Sequence, residues 1–150
     1  MLIRPIGQED IEGITAIERD NLSPWSQSLI ESELCYPSGI QLLACNPESS
    51  KIMGWCCARF LEPEAELLKI ATSKIHRRKG IATNLLEELF SICRKEHCSR
   101  IFLEVREKNF AALTLYQNLG FIQHSRREKY FQAPEDNCLI LVKHLVASEE

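Results

Sequence analysis

The sequence ELLKIATSKIHRRKGIA, residues 66–82, reads as an apolar strand that runs through a basic turn directly into a helix. Arg77, Arg78 and Lys79 precede Gly80 at the start of that helix. The first turn of a helix carries unpaired backbone N–H groups and the positive end of the helix dipole, and both attract phosphate. The stretch therefore predicts either a phosphate site or a solvated basic turn that caps a helix.

The composition of this turn narrows the class of ligand. Gly80 has no Cβ, so the backbone can approach a phosphate closely, and Ala82 keeps the first helical turn small. The turn lacks the G-x-G-x-x-G of dinucleotide folds and the G-K-[ST] of a P-loop, which disfavours NAD and ATP. The motif alone is more typical of a solvated basic turn, but its position after a buried strand rather than a loop strengthens the interpretation as a phosphate site.

Length and charge limit the other classes of function. The 150 residues fit one domain, spanning 1–150, and 45% hydrophobic with 26% charged residues is ordinary for a globular protein. The net charge of −3 argues against a direct nucleic-acid partner. The N-terminus does not resemble a signal peptide, and no apolar run reaches the roughly 20 residues that span a bilayer. We expect a cytoplasmic protein with no membrane partner.

Cysteine usage supports the same compartment. The seven cysteines are an odd set without C-x-x-C spacing, and they are Cys35, Cys45, Cys56, Cys57, Cys93, Cys98 and Cys138. Most lie in apolar stretches, which predicts reduced thiols in a cytosolic core. Cys93, His97 and Cys98 suggest a metal cluster, but a fourth ligand at zinc-site spacing is missing, so no metal is expected.

The pattern along the chain predicts an α/β fold with the order βααβββαβαββ, a mixed sheet flanked by helices. The predicted strands are 2–6, 40–45, 52–61, 67–72, 100–106, 121–130 and 138–145, and the predicted helices are 8–19, 26–35, 80–95 and 109–119. Strand 100–106 is almost continuously apolar, which is typical of a strand buried on both faces. The acidic segment 62–66 reads as a solvated loop, or as an attractant for a cationic peptide N-terminus.

Glu104 interrupts the apolar strand 100–106 near its C-terminal end. Ligand clefts in open α/β sheets lie beyond such strand ends. Burying a carboxylate is costly unless it is paired, and partial burial would raise its pKa towards the range useful for a base. A structural salt bridge to Arg106 or Arg127 explains the residue equally well, and position alone leaves both alternatives open.

Tyr116 and Asn109 belong to the following helix. Tyr116 has helical spacing from Leu113 and Gly120, which is typical of a core residue, but its hydroxyl becomes a proton donor if the helix edge lines a cleft. Asn109 stands where the helix begins and is expected to be its N-cap.

Together these segments resemble the GNAT family of acetyl-CoA-dependent N-acetyltransferases. The R-x-x-G-x-A turn is similar to that family's pyrophosphate loop, although Ala82 stands where many relatives carry glycine. The block FLEVREKNFAALTLYQNLGF, residues 102–121, and Pro24-Trp25-Ser26 resemble the branch that acetylates the N-terminal alanine of bacterial ribosomal proteins. The resemblance covers almost the whole chain and implies the GNAT (acyl-CoA N-acyltransferase) fold.

The resemblance also implies roles for individual residues. Glu104 would be the general base, acting through water, and Tyr116 the general acid. Backbone groups of Ile70, Ala71 and Thr72 would meet the acetyl and pantetheine portions of acetyl-CoA. The pyrophosphate cradle would consist of Arg78, Lys79, Gly80, Ile81, Ala82 and Thr83, with Asn109 as a further coenzyme contact.

The implied acceptor is a protein N-terminal α-amine, with the N-terminal alanine of a small-subunit ribosomal protein as the expected partner. An α-amine has a pKa near ~8 and a lysine near ~10.4, so the former needs less help to lose its proton. Two alternatives remain: acetylation of an internal lysine or a small amine, and a CoA-binding module without turnover. The intact pair Glu104 and Tyr116 favours an enzyme.

Overall fold

The computed structural model describes residues 1–145, with seven strands and four α-helices in the predicted order. The strands are β1 (Leu2–Pro5), β2 (Gly39–Cys45), β3 (Ile52–Leu61), β4 (Glu64–Thr72), β5 (Arg100–Arg106), β6 (Ile122–Phe131) and β7 (Asp136–His144). The helices are α1 (Ile11–Glu18), α2 (Gln27–Leu34), α3 (Ile81–Lys95) and α4 (Phe110–Asn118). Short 3₁₀ segments, Gln8–Asp10 and Lys74–His76, precede α1 and α3.

All seven strands form one mixed sheet with the order β1-β2-β3-β4-β5-β7-β6. The neighbours pair antiparallel except β4 and β5, which run parallel. This parallel pairing covers only Ala65–Leu67 with Ile101–Leu103, although both strands continue well beyond it. The two strands therefore separate towards their carboxyl ends, and the sheet opens between them.

Helices cover the sheet on both faces and bury two separate apolar clusters. The larger cluster packs α3 and α4 against one face, with Leu85, Leu89 and Phe90 among its fully buried side chains. The smaller cluster packs α1 and α2 against the other face, around Ile14 and Trp55. Within residues 1–145, no helix is long and apolar enough to cross a bilayer.

Local capping explains where the helices begin and end. The Ser26 hydroxyl accepts a hydrogen bond from Leu29 N at 3.1 Å and caps α2, as its position predicts. Asn109 Oδ1 accepts from Ala112 N at 3.2 Å and caps α4 in the same way. Past the end of α4, Gly120 has a φ of 93°, a left-handed conformation that favours glycine.

Two of the predictions about the sheet are wrong in part. β4 begins at Glu64 rather than Leu67, so 64–66 is strand and not a solvated loop. The segment alternates between buried and partly exposed side chains, as a strand does, although two of its three residues are acidic. Ala65 is buried in the core, while Glu64 forms an ion pair with Arg100. Nor is β5 buried on both faces, since Ile101, Leu103 and Val105 are buried but Glu104 between them is exposed.

Candidate active site

The opening between β4 and β5 is a cleft of about 900 Å³. Its walls are the separating ends of the two strands, the turn between β4 and α3, the start of α3, helix α4, and the segment between α1 and α2. Of the residues predicted for the site, eleven line it: Ile70, Ala71, Thr72, Arg78, Gly80, Ile81, Ala82, Thr83, Glu104, Asn109 and Tyr116. The fold thus brings the predicted residues before and within the phosphate turn into one cavity with the predicted residues of β5 and α4.

The turn between β4 and α3 presents backbone donors to this cleft. Asn84 N donates the first intrahelical hydrogen bond, to Gly80 O at 3.0 Å, so the N–H groups of Ile81, Ala82 and Thr83 precede it. No side chain caps the helix at Gly80. The start of α3 therefore keeps its donors and its positive dipole end available for an anion.

Backbone conformation makes this arrangement possible. Gly80 has a φ of 80° and Arg78 a φ of 64°, so two left-handed residues bend the chain sharply into α3. A Cβ on Gly80 would meet only Asn84 Nδ2, at 4.0 Å, so open space remains above the backbone. Glycine is needed here for its conformation and leaves room for a ligand at the same time.

Side chains around the turn add to its fit for a phosphate. Arg77, Arg78 and His76 line the cleft, whereas Lys79 is exposed and lies outside its lining. His76 Nδ1 is buried without a hydrogen-bond partner among the described residues. Burial, with the charges of Lys79 and Lys51, lowers the pKa of His76. An anion at the turn would supply both a partner for this imidazole and a counter-charge for the arginines.

The end of β4 offers backbone groups to the same cleft. Ile70, Ala71 and Thr72 pair on one side with β3, opposite Cys56, Trp55 and Gly54. On the other side, the pairing with β5 has already ended at Leu67. These three residues therefore have one sheet edge that faces the cleft rather than a neighbouring strand, as their predicted role requires.

Glu104 lies at the point where β5 leaves β4, and its side chain is exposed in the cleft. Within residues 1–145 it forms no ion pair with Arg106 or Arg127, so the salt-bridge alternative is wrong. A hydrogen bond with this carboxylate, and its charge, raise the pKa of Tyr130. Burial, and then the charge of Glu104, raise the pKa of Glu66. The carboxylate therefore lines the cleft without a cationic partner among these residues.

Tyr116 differs from Glu104 in being buried, with 6% of its surface exposed. Its ring packs edge-on against Phe121 with centroids 5.5 Å apart, so it belongs to the core as well as to the cleft lining. Burial raises the pKa of the Tyr116 phenol above its ordinary value. The phenol consequently keeps its proton throughout the neutral range, which is the form a proton donor requires.

The segment between α1 and α2 lines the cleft and is held by contacts from Glu18 and Lys69 that the sequence did not reveal. Glu18 is fully buried and accepts from Trp25 N at 2.9 Å and from Trp55 Nε1 at 3.1 Å. Lys69 Nζ lies 3.0 Å from the same carboxylate and also donates to Ser23 O. The signal was available: Glu18 is a charged residue on the apolar face of α1, beside Ile14 and Ile17.

The cysteines form no candidate metal centre. All seven are free thiols, and six are buried while Cys35 is exposed. Burial raises the pKa of Cys56 and of Cys93 to about 12 in each case, so both stay protonated. Among residues 1–145, no three His, Cys, Asp or Glu side chains are grouped closely enough to hold a metal ion.

Comparison with known proteins agrees with this geometry. The profile of the Acetyltransferase (GNAT) family matches residues 11–121, which is most of the chain. The chain belongs to the GNAT family of acetyltransferases, an enzyme family that uses acetyl-CoA. The predicted fold class is thereby confirmed.

Named relatives are similar to this chain over most of its length. The [ribosomal protein bS18]-alanine N-acetyltransferase of Haemophilus ducreyi is 28% identical over 149 residues, 96% of this chain and 100% of that protein. The Escherichia coli protein of the same description is 30% identical over 115 residues, 76% of this chain and 75% of that one. The crystal structure of the ribosomal-protein-S18-alanine N-acetyltransferase from Escherichia coli superposes with a TM-score of 0.89 at 24% identity, covering 99% and 96% of the two chains.

Proposed function

We propose that this protein transfers the acetyl group of acetyl-CoA to a protein N-terminal α-amine. The observation that carries the proposal is the shared cleft: Glu104, a carboxylate without an ion-pair partner among the described residues, and Tyr116, a buried phenol, line the same cavity as Ile81–Thr83. The family membership and the descriptions of the relatives support it.

Glu104 is the general base in this proposal. An amine attacks a thioester carbonyl only when it is neutral, so a proton must leave its nitrogen as the C–N bond forms. Glu104 is exposed at the mouth of the cleft and has no cationic partner, so its carboxylate can take that proton, directly or through water.

Tyr116 is the general acid. As the C–S bond breaks, the departing CoA thiolate needs a proton. The raised pKa of the Tyr116 phenol keeps this proton available at neutral pH, and its burial in the core holds the ring in a fixed orientation. The proposed base and acid thus differ in environment, because Glu104 is exposed to solvent whereas Tyr116 is buried.

The coenzyme is held on the α3 side of the cleft. The backbone donors of Gly80–Thr83, with the Arg78 guanidinium nearby, receive the pyrophosphate, and the free edge of Ile70–Thr72 receives the acetyl and pantetheine portions. Backbone N–H groups beside the acetyl oxygen stabilise the tetrahedral intermediate. Lys79 acts at most through its charge, because its side chain lies outside the lining.

The acceptor in this proposal is the N-terminal alanine of a small-subunit ribosomal protein. The support is the shared description of the two relatives and the chain's coverage of their length. The free thiols of all seven cysteines support a reducing compartment, the cytoplasm, where such a partner is made.

The test is turnover of acetyl-CoA against short peptides that differ only at residue one, alanine among them. A matched peptide has a blocked N-terminus and an internal lysine. The acetylated peptide is measured by mass spectrometry rather than with a thiol reagent, because the exposed Cys35 would react with the reagent. We expect acetylation of the alanine peptide at its α-amine and none of the blocked peptide.

Preference for the blocked peptide would replace the N-terminal acceptor with a lysine. Binding of acetyl-CoA without turnover of any amine would instead indicate a coenzyme-binding module. Peptides that share residue one but carry ribosomal or scrambled sequences behind it then test the proposed ribosomal partner.

A further inference from the structure

Arg106, the last residue of β5, lines the cleft and connects two loops, of which one lines the cleft and the other follows the cleft residue Phe131. The front loop is residues 19–26, between α1 and α2, and the back loop is residues 132–135, between β6 and β7. Arg106 Nη2 donates to Ser23 Oγ of the front loop at 3.1 Å and to Gln132 O of the back loop at 3.3 Å. Its Nη1 donates to Pro134 O at 2.7 Å.

The burial of Arg106 is unusual for its charge. The residue is 8% exposed, yet no acidic side chain pairs with it among residues 1–145. Its other contact is the Phe131 ring, whose centroid lies 4.5 Å from the guanidinium carbon. A buried cation without a counter-charge is costly, and here the neutral oxygens of the two loops satisfy it instead.

The front loop is held from a second direction. Ser23 O accepts from Lys69 Nζ at 3.2 Å, and the Ser23 φ of 58° is a left-handed conformation that a serine seldom adopts. Such a backbone persists only where its surroundings enforce it, and it is common at ligand clamps. Ser23 therefore lies between two cations from neighbouring strands, Lys69 of β4 and Arg106 of β5.

Apolar packing holds the front loop at Trp25, whose ring packs edge-on against Trp55 with centroids 5.6 Å apart, but it does little for the rest of the two loops. All four residues of the back loop are exposed, and in the front loop only Asn21 and Trp25 are partly buried. Segments with few buried apolar contacts open easily, so their position depends on the polar contacts they make. Ser23 and Arg106 both line the cleft.

We propose that Arg106 is a positioning residue that joins the front and back loops into one wall for the acceptor. This inference rests on the proposed function for the identity of the acceptor, a peptide N-terminus. Because Arg106 contacts the loops rather than the phosphate turn, its loss affects the binding of the peptide and spares the binding of the coenzyme.

The kinetic test uses Arg106→Met, Ser23→Ala and the double variant, with Arg126→Met as the matched control. Arg126 is an exposed arginine of β6, outside the cleft lining, that pairs with Glu107 and Glu128. We expect the KM for the peptide to rise about tenfold in Arg106→Met and about threefold in Ser23→Ala, with the KM for acetyl-CoA unchanged.

The double variant separates a shared contact from independent effects. Because Ser23 acts through Arg106, adding Ser23→Ala to Arg106→Met should cost nothing further. Arg126→Met should match the wild type. Equal increases in both KM values, or a fall in kcat alone, would show that Arg106 only supports the fold and would overturn the inference.

Hydrogen exchange tests the connection without any acceptor. In Arg106→Met, amides of residues 19–26 and 132–135 should both exchange faster than in the wild type, whereas 78–83 should not change. Loosening of one loop alone would contradict the connection. This result holds whether or not peptides are acetylated, so failure of the proposed function and failure of this inference can be told apart.

Discussion

The two halves of the cleft are built by different means. The half proposed to bind acetyl-CoA, called the donor half, lies in the continuous run from Ile70 to Thr83 and presents backbone amides at a helix start that no side chain caps. The acceptor half is made by side chains, with Glu18, Lys69 and Arg106 holding the loops around Ser23. Backbone groups can bind the same coenzyme whatever the acceptor is, whereas the side chains of the acceptor half can be substituted to suit a different acceptor.

The two halves of the cleft also differ in how far apart in sequence their residues lie. The donor half is local, whereas the contacts of the acceptor half join residues 37 apart between Glu18 and Trp55, 46 between Ser23 and Lys69, and 83 between Ser23 and Arg106. Substitutions should therefore affect one half at a time, and the following predictions test that separation.

The largest effect should come from Glu18→Gln, which removes the charge beneath the acceptor half. Glu18 is fully buried and the Lys69 side chain is 15% exposed, so the variant leaves a nearly buried ammonium without its partner. We expect the free energy of unfolding to fall by about 3 kcal/mol, measured by urea titration.

Glu128→Gln is the control for that measurement. Glu128 also pairs with an arginine, Arg126, but its side chain is 76% exposed. Exposed pairs contribute little, so its unfolding curve should overlie that of the wild type. A loss as large as that of Glu18→Gln would contradict the importance of burial in this network.

Glu104→Gln should reduce kcat by about 100-fold, because general-base catalysis contributes at least that much. Glu104 is exposed and forms no ion pair among residues 1–145, so the free energy of unfolding should change little, and acetyl-CoA binding by calorimetry should be retained. Unchanged turnover would remove Glu104 as the base, and lost coenzyme binding would place it in the donor half.

Tyr116→Phe should lower kcat about 30-fold at neutral pH, since the ring and its packing on Phe121 remain while the proton donor is lost. Full activity in this variant would show that another group protonates the thiolate. The measurement is steady-state turnover with both substrates saturating.

The pH dependence of the wild type offers a second test of Tyr116. Activity should rise as the acceptor α-amine loses its proton near pH ~8. Since the pKa of Tyr116 is raised above 10.0, the phenol should keep its proton on the alkaline side, and the plateau should extend to pH 10. A decline well below pH 10, with the protein still folded, would contradict this assignment.

A smaller effect is expected from Gly80→Ala, which strains the left-handed turn of the donor half. The change costs about 1–2 kcal/mol, so the KM for acetyl-CoA should rise about fivefold while the KM for the peptide stays constant. Gly120→Ala is the matched control, since Gly120 is also left-handed but lies past α4. It should reduce stability and leave the KM for acetyl-CoA unchanged.

The contrast between the halves also explains what the sequence could predict. The structure agrees with the predicted order of the elements and with the two predicted caps, Ser26 and Asn109. It also places every predicted site residue except Lys79 in the lining of the cleft. Each of these predictions follows from a short-range pattern or from a contiguous motif. The roles assigned to those residues remain predictions.

Errors arose where tertiary contacts outweigh local pattern. The acidic residues 64–66 form strand because Arg100 pairs with Glu64 from the neighbouring strand, and Glu104 stays exposed because β5 leaves its partner there. Arg106 was considered only as a partner for Glu104, because the loops it contacts lie far away in sequence.

The most direct test of the two-part cleft is hydrogen exchange with the substrates added one at a time. Acetyl-CoA alone should slow the amides of residues 78–83, because these backbone donors bind the pyrophosphate, and should leave 19–26 and 132–135 unchanged. The peptide should then slow those two loops. Protection of the loops by acetyl-CoA, with none at residues 78–83, would contradict the account.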